Sequence, residues 1–364
     1  MTTGAETSTP ATPAQSPAGA TARLILFGIL RTLLPVVLAL LVGAVVLLLL
    51  GADPLAYYGY VLKRGLLTWS GLQETIIRMA PLLLIAAGLI IAFRAGIWNL
   101  GVDGQFLLAA VVCAALAPAL VGTLGRYPTI LVCLIVAFLV GAAWSLIPAL
   151  LKARFGVNEI ITTLMMSFLG TSFANVLIKI PFKDPATTVP QTETLVVADR
   201  LPRLGDTTIN SGIILAIIAV LLVHLLMTRT AFGLKLQIVG ANPRAAVHAG
   251  LSVARLTYAT FALSAGFAGL AGAVEILGVW GTVRADWNPA YGMLVIPIVF
   301  LARFHGVAVI GFVLFFAALQ IGGDSAARRV GVPPVYVLLL VALLLMFLAV
   351  VEYLDQRWRE RTKA

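Results

Sequence analysis

Two twelve-residue stretches concentrate the side chains able to do binding chemistry. Residues 94–105 hold Trp98, Asn99, Asp103 and Gln105, and residues 281–292 hold Asp286, Trp287 and Asn288. An indole presents a flat apolar face for stacking on a ring. A carboxamide both donates and accepts hydrogen bonds, and a carboxylate accepts them from hydroxyls. Each stretch thus combines a stacking face, a carboxamide and a carboxylate, a set suited to a small polar solute. Each side chain also has a plainer role open to it. Trp98 and Trp287 equally suit anchoring at lipid headgroups. Asn99 and Asn288 equally suit helix caps, and Asp103 the start of a helix at Gly104.

The equipment for a reaction is missing. The sequence contains no G-x-x-x-x-G-K-[ST] phosphate loop, no His-Glu-x-x-His and no cluster of Cys and His. His224, His248 and His305 fall in different segments; His224, inside an apolar run, is either a proton relay or a packed side chain. Cys113 and Cys133 also lie inside apolar runs and read as small core residues. No catalytic residue, metal site or cofactor is expected. An intramembrane enzyme would need a nucleophile–base or metal constellation that these residues do not supply.

The elements that position the two stretches follow from composition. Of 364 residues, 61% are hydrophobic and only 11% are charged, against ~25% charged in ordinary soluble domains. A soluble domain of this length could not hide so much apolar surface, so the expected class is an all-α polytopic membrane protein. Reading between charges gives ten apolar windows: 32–52, 79–93, 104–125, 127–151, 160–178, 207–228, 256–274, 287–302, 304–323 and 330–351. The short window 79–93 borrows Ile76 and Ile77 while Arg78 snorkels to the interface. The window 287–302 follows a Trp-, Gly- and Pro-bearing stretch and reads as a partial or broken helix. Glu275, about twenty residues or ~30 Å of helix beyond Arg255, is expected at the outer interface in solvent.

The net charge of +10 would suggest nucleic acid in a soluble protein, but here the basic residues flank apolar runs and orient the chain in a bilayer, with no nucleic-acid partner. The connection 229–255 carries Arg229, Lys235, Arg244 and Arg255 without an acid, whereas 181–209 balances Lys183, Arg200 and Arg203 against Asp184, Glu193, Asp199 and Asp206. Positive-inside places 229–255 and both termini in the cytoplasm. Residues 1–22, rich in Thr, Ala, Pro and Ser, read as a disordered cytoplasmic tail and not a signal peptide. Residues 23–351 form the transmembrane domain and 352–364 a cytoplasmic C-terminal tail. Ten spans split into two five-helix halves of inverted orientation, and 94–105 and 281–292 sit at matching positions in them. Paired Gly- or Pro-interrupted segments at matching positions mark a transporter's substrate site; two ordinary interfacial loops are the alternative.

Within 229–255, Asn242, Pro243, Arg244, Ala245, Ala246 and Gly250 outline a two-turn helix. Asn242 suits the N-cap, Pro243 the first helical position and Gly250 the position past the end. So short a helix is not stable alone in water, so it packs on something: a cytoplasmic partner, or lipid.

Arg244-Ala245-Ala246 followed by Gly250 resembles the Glu-Ala-Ala-x-x-x-Gly loop of ABC importer permeases. The stretch from Trp98 to Gln105 resembles the Phe-Asn-Ile-Gly-x-Glu-Gly-Gln segment of the permeases of nucleoside and simple-sugar importers. Lys152–Met165, through Gly156-Val157-Asn158-Glu159, resembles a second stretch of the same family, and Asn288-Pro289-Ala290-Tyr291-Gly292 through Gly331-Val332-Pro333 also fits. The resemblance spans roughly residues 75–350. Departures from the pattern are Trp98 for Phe, Asp103 for Glu and Arg244 for Glu. It implies a bacterial inner-membrane permease subunit that assembles with a second permease and with cytoplasmic ATPase subunits, which bind the ATP. An extracytoplasmic solute-binding protein feeds it, and the transported solute is a nucleoside or simple sugar. An ion-coupled secondary transporter also uses inverted repeats and broken helices, but has no ATPase to receive a docking helix at 242–250.

Overall fold

The computed structural model describes residues 17–333 and 335–361. Residues 1–16, most of the expected tail, lie outside the described residues; residues 17–22 already belong to a helix. Among the described residues fourteen α-helices follow one another: α1 (Pro17–Leu49), α2 (Pro54–Leu62), α3 (Trp69–Arg94), α4 (Val102–Leu124), α5 (Arg126–Trp144), α6 (Leu146–Phe155), α7 (Glu159–Lys179), α8 (Gly212–Arg229), α9 (Ala231–Ala241), α10 (Pro243–His248), α11 (Val253–Glu275), α12 (Tyr291–Leu301), α13 (Gly306–Val330) and α14 (Tyr336–Arg361). No β-strand of more than an isolated bridge occurs among the described residues. The protein is an all-α polytopic membrane protein. Among the described residues seven helical segments are long and apolar enough to cross a bilayer: α3, α4, α5 with α6, α7, α8, α11 with its continuation to Trp280, and α13.

Each of the ten apolar windows overlaps a helix, with 127–151 divided between α5 and α6. Helix α2 lies between windows, started by Asp53, whose Oδ1 accepts from Leu55 N at 2.9 Å, with Pro54 as its first residue. Window 79–93 is the inner part of a 26-residue helix beginning at Trp69, so Arg78 sits inside α3 and does not snorkel past its end.

The core forms where α3 and α11 cross. Their apolar windows are 78% and 67% buried, against 28% for α5 with α6. Small residues make this possible. A Cβ at Gly269 would collide with the Ala137 carbonyl of α5, one at Gly272 with the Phe106 carbonyl of α4, and one at Gly88 of α3 with the Ser264 carbonyl. Lipid supplies no hydrophobic drive between helices, so such backbone approach carries their association. On the far side of α5, Leu131, Ile135 and Leu139 form an exposed stripe one turn apart, the face suited to lipid.

Candidate functional site: two helix breaks around a half-helix

The first break opens where α3 ends. Gly96 adopts φ +69°, a left-handed conformation that glycine takes without steric cost, and residues 97–101 run without helical structure. Asn99 is fully buried here. Its Nδ2 donates to Gln105 Oε1 at 3.0 Å and to Ser264 Oγ at 3.1 Å, while its Oδ1 accepts from Gln105 Nε2 at 3.0 Å and from Gly101 N at 3.1 Å. Every hydrogen-bonding position of the amide is thus occupied by protein.

Helix α7 supplies the opposite wall. Asn158 caps it, accepting from Ile160 N at 2.8 Å, and Glu159 pairs with Lys152 at 2.6 Å. One turn on, Thr163 Oγ1 accepts from Leu100 N at 3.1 Å, and Ser167 Oγ accepts from Gly104 N at 3.2 Å. A Cβ on Gly104 or Gly170 would meet the other helix's backbone at 2.9 Å. The two stretches Trp98–Gln105 and Lys152–Met165 therefore pack on one another as a single structural unit.

The second break is built differently. Beyond α11 a π-helical turn, Ile276–Trp280, leads to Gly281, and the chain then passes Asp286 at φ +62° and Ala290 at φ +52°. Left-handed backbone is costly for residues with a Cβ. The connection before α8 is strapped across this segment: Thr192 N donates to Val283 O at 3.0 Å, Leu195 N to Gly281 O and Leu201 N to Leu277 O at 2.8 Å. Arg200 Nη1 donates to Val279 O at 2.7 Å, and burial pulls its guanidinium below the usual pKa. Asp286 is exposed, with its backbone N on Asn175 Oδ1 at 2.6 Å and its carboxylate 3.4 Å from Lys179. Trp287 packs against Phe106 and Trp280, with ring centroids 5.9 and 6.1 Å apart. Asn288 is exposed, and its Oδ1 accepts from Ala290 N at 2.9 Å.

The two breaks meet at the start of α12. Asp103, on the first turn of α4, does not cap its own helix; its Oδ1 accepts from Gly292 N of α12 at 2.8 Å, a carboxylate against the positive end of a helix dipole. Beside it lies a cluster that reading between charges missed. Arg78 Nη1 donates to the Tyr291 hydroxyl, which donates to Glu275 Oε1 at 3.1 Å; Trp280 Nε1 donates to the same oxygen at 3.0 Å, and Arg78 lies 3.6 Å from it. Glu275 is 2% exposed. The expectation of a solvated Glu275 is overturned, because partners from three segments replace its water. The available signal was an Arg and a Glu standing beside or within apolar runs, which is costly unless paired.

Helix α12 has only 11 residues, and Arg303 and Phe304 beyond its far end are also left-handed, at φ +50° and +57°. Against that end lies a groove of about 540 Å³ lined by Trp98, Ile296, Phe300, Phe304 and Leu345, with the Trp98 and Phe300 rings stacked 5.4 Å apart. His224 packs against His305 at 4.5 Å between ring centroids.

The loop before α11 forms the expected capped helix. Asn242 Oδ1 accepts from Arg244 N at 3.0 Å and Ala245 N at 3.1 Å, Pro243 is the first residue, and Gly250 at φ +76° follows the end. Ala246 is buried, while Arg244 and Val247 face outward, Val247 at 61% exposure. Just upstream, Gly240 of α9 lies against Gly96 of the first break, backbone on backbone: a Cβ on Gly96 would stand 3.1 Å from Gly240 Cα.

Residues 71–350 match the family described as branched-chain amino acid transport system / permease component. The chain is 34% identical to a glucose ABC transporter permease of Haloferax volcanii, over 88% of this chain and 87% of that one. It is 29% identical to a guanosine ABC transporter permease of Bacillus subtilis (88% and 93%) and 28% identical to a nucleoside ABC transporter permease of Lactococcus lactis (88% and 91%). The ion-coupled alternative finds no support among these relatives. With three-quarters of its length matched, and a capped helix on a basic loop beside broken helices, the chain belongs to the permease-component family and is a membrane-spanning subunit of an ABC importer.

Proposed function

We propose that the chain forms the translocation path for a small hydroxylated solute, a monosaccharide or nucleoside, and that cytoplasmic ATPase subunits drive it through α10. The solute class is favoured by the relatives named for glucose and guanosine. The path follows the two breaks, with Trp98 and Asn288 on cavity walls and Asn99, Asp103 and Gln105 holding the first break in shape. The rest of the assembly is a second permease, ATPase subunits and an extracytoplasmic binding protein, in a bacterial inner membrane with both termini inside. Ten spans in two inverted five-helix halves fit if the shorter apolar helices Leu33–Leu49, Tyr291–Leu301 and Tyr336–Val351 complete the count.

The observation that carries the coupling is the chain of contact from α10 through Gly240 to Gly96. A helix this short and capped at both ends moves as a unit, and its shift is passed by touching backbones to the break that holds Asn99. The outward residues Arg244 and Val247 are its contact face, whereas the buried Ala246 anchors it. Val247→Glu, on that face, and Gly250→Pro, which cannot keep φ +76° at the helix end, are therefore expected to leave the permease inserted but to abolish stimulation of ATP hydrolysis by the loaded binding protein. Full stimulation in both variants would refute the docking role.

A further inference from the structure

At the end of α12 opposite the Trp98 groove lies a second cavity, of about 230 Å³. Its walls include Asn288 and Leu294 from the second break and α12, Gln320 and Asp324 from α13, and Val337 and Leu338 from α14. Gln320 and Asp324 are one helical turn apart, so both face the same side of α13. Gln320 Oε1 is buried without a hydrogen-bond partner among the described residues, a situation that costs free energy unless something supplies a donor. No salt bridge holds the Asp324 carboxylate among the described residues. The remaining wall is aliphatic.

A carboxylate, an unpaired amide oxygen and a second carboxamide over an aliphatic floor have a definite complement. It is a small ring with hydroxyls along one edge and C–H groups on its face. No aromatic side chain lines the cavity, so it offers nothing for a planar base to stack on. The volume is below the ~300 Å³ at which pockets for drug-sized ligands begin, which suits a single ring. We propose that Asp324 and Gln320, with Asn288 across the cavity, bind the hydroxyls of a sugar ring on its way through the permease. This rests on the solute class proposed above and adds its contact residues on α13, none of which the sequence had singled out.

The test uses cells carrying the complete importer, given radiolabelled D-glucose and guanosine in separate arms. Asp324→Asn and Gln320→Leu should each raise the concentration for half-maximal uptake by about ten-fold, the scale of one lost buried hydrogen bond. A shift in the glucose arm identifies a free monosaccharide as the ligand, and a shift in the guanosine arm the ribosyl group. As a check independent of folding yield, Gln320→Cys should react with a water-borne methanethiosulfonate several-fold more slowly when the transported solute is present. Half-saturation unchanged in both variants, with equal reaction rates with and without solute, would overturn the subsite alone. A wild-type importer that takes up neither solute would overturn the solute class and the subsite together.

Discussion

The two breaks are held in opposite ways. In the first, the left-handed turn is made by a glycine, the central Asn99 is fully buried, and both of its amide groups are saturated by Gln105, Ser264 and Gly101. In the second, left-handed backbone falls on Asp286 and Ala290 as well as on Gly281, Asn288 is exposed, and the connection before α8 is strapped across the segment. One break is relaxed and closed, the other strained and open. Strain of this kind persists only where surrounding structure over-determines it, and it gathers where function needs it. Under the function proposed above, the first break is the fixed floor that α9 and α10 lean on, and the second is the part that responds to solute. Half-helix α12, with left-handed residues at both ends, is the element between them.

The largest effect is expected in the buried cluster beside the contact of Asp103 with Gly292 that joins the two breaks. Removing one member of a buried ion pair strands the other, at a cost of ~3–5 kcal/mol. Glu275→Leu should therefore sharply lower the amount of folded permease and its melting temperature in detergent. The double variant Arg78→Met with Glu275→Leu should recover much of that loss, because no charge is then left alone. A double variant as unstable as the single one would mean that the cluster acts by shape and not by charge.

The next test separates the two asparagines. Asn99→Ala leaves Gln105, Ser264 and Gly101 N without partners, at ~1–3 kcal/mol for each buried group left unsatisfied. Asn288→Ala removes one exposed bond to Ala290 N, with an effect of about 0.5 kcal/mol or less. Thermal denaturation of the purified proteins should rank them so. The sequence treats these residues as equivalents, each beside a Trp and each suited either to solute binding or to a helix cap. The buried hydrogen bonds of Asn99 favour a structural role, in which uptake falls because the first break loosens. A stable Asn99→Ala permease with poor uptake would restore the direct solute contact.

That contrast marks what the residues alone could convey. The helices were legible because a bilayer needs long apolar runs, and α10 was legible because capping is local chemistry: Asn242, Pro243 and Gly250 each act within a few residues of themselves. The roles of Asn99, Asp103 and Glu275 depend on partners far along the chain. Ser264 lies 165 residues from Asn99, and Gly292 lies 189 from Asp103. Nothing in the spacing of a single sequence announces such pairs. Charges were read as the ends of spans, which hid the length of α3 and the pairing of Arg78 with Glu275 across it.

The smallest effect is the sharpest test of strain, because the two breaks offer the same substitution in opposite directions. Ala290 stands at φ +52° and Gly96 at φ +69°. For a residue with a Cβ this conformation costs roughly 1–2 kcal/mol, while glycine adopts it freely but loses more chain entropy on folding, by about 0.5–1 kcal/mol. Ala290→Gly should therefore stabilise the permease slightly, by up to about 1 kcal/mol. Gly96→Ala should destabilise it by more than that, because the new methyl would also press on the Gly240 backbone at 3.1 Å. Melting temperatures of the two variants should move in opposite directions, and with Gly96→Ala the coupling to ATP hydrolysis should weaken as well. If both variants lower stability alike, the second break carries no stored strain, and its difference from the first reduces to exposure.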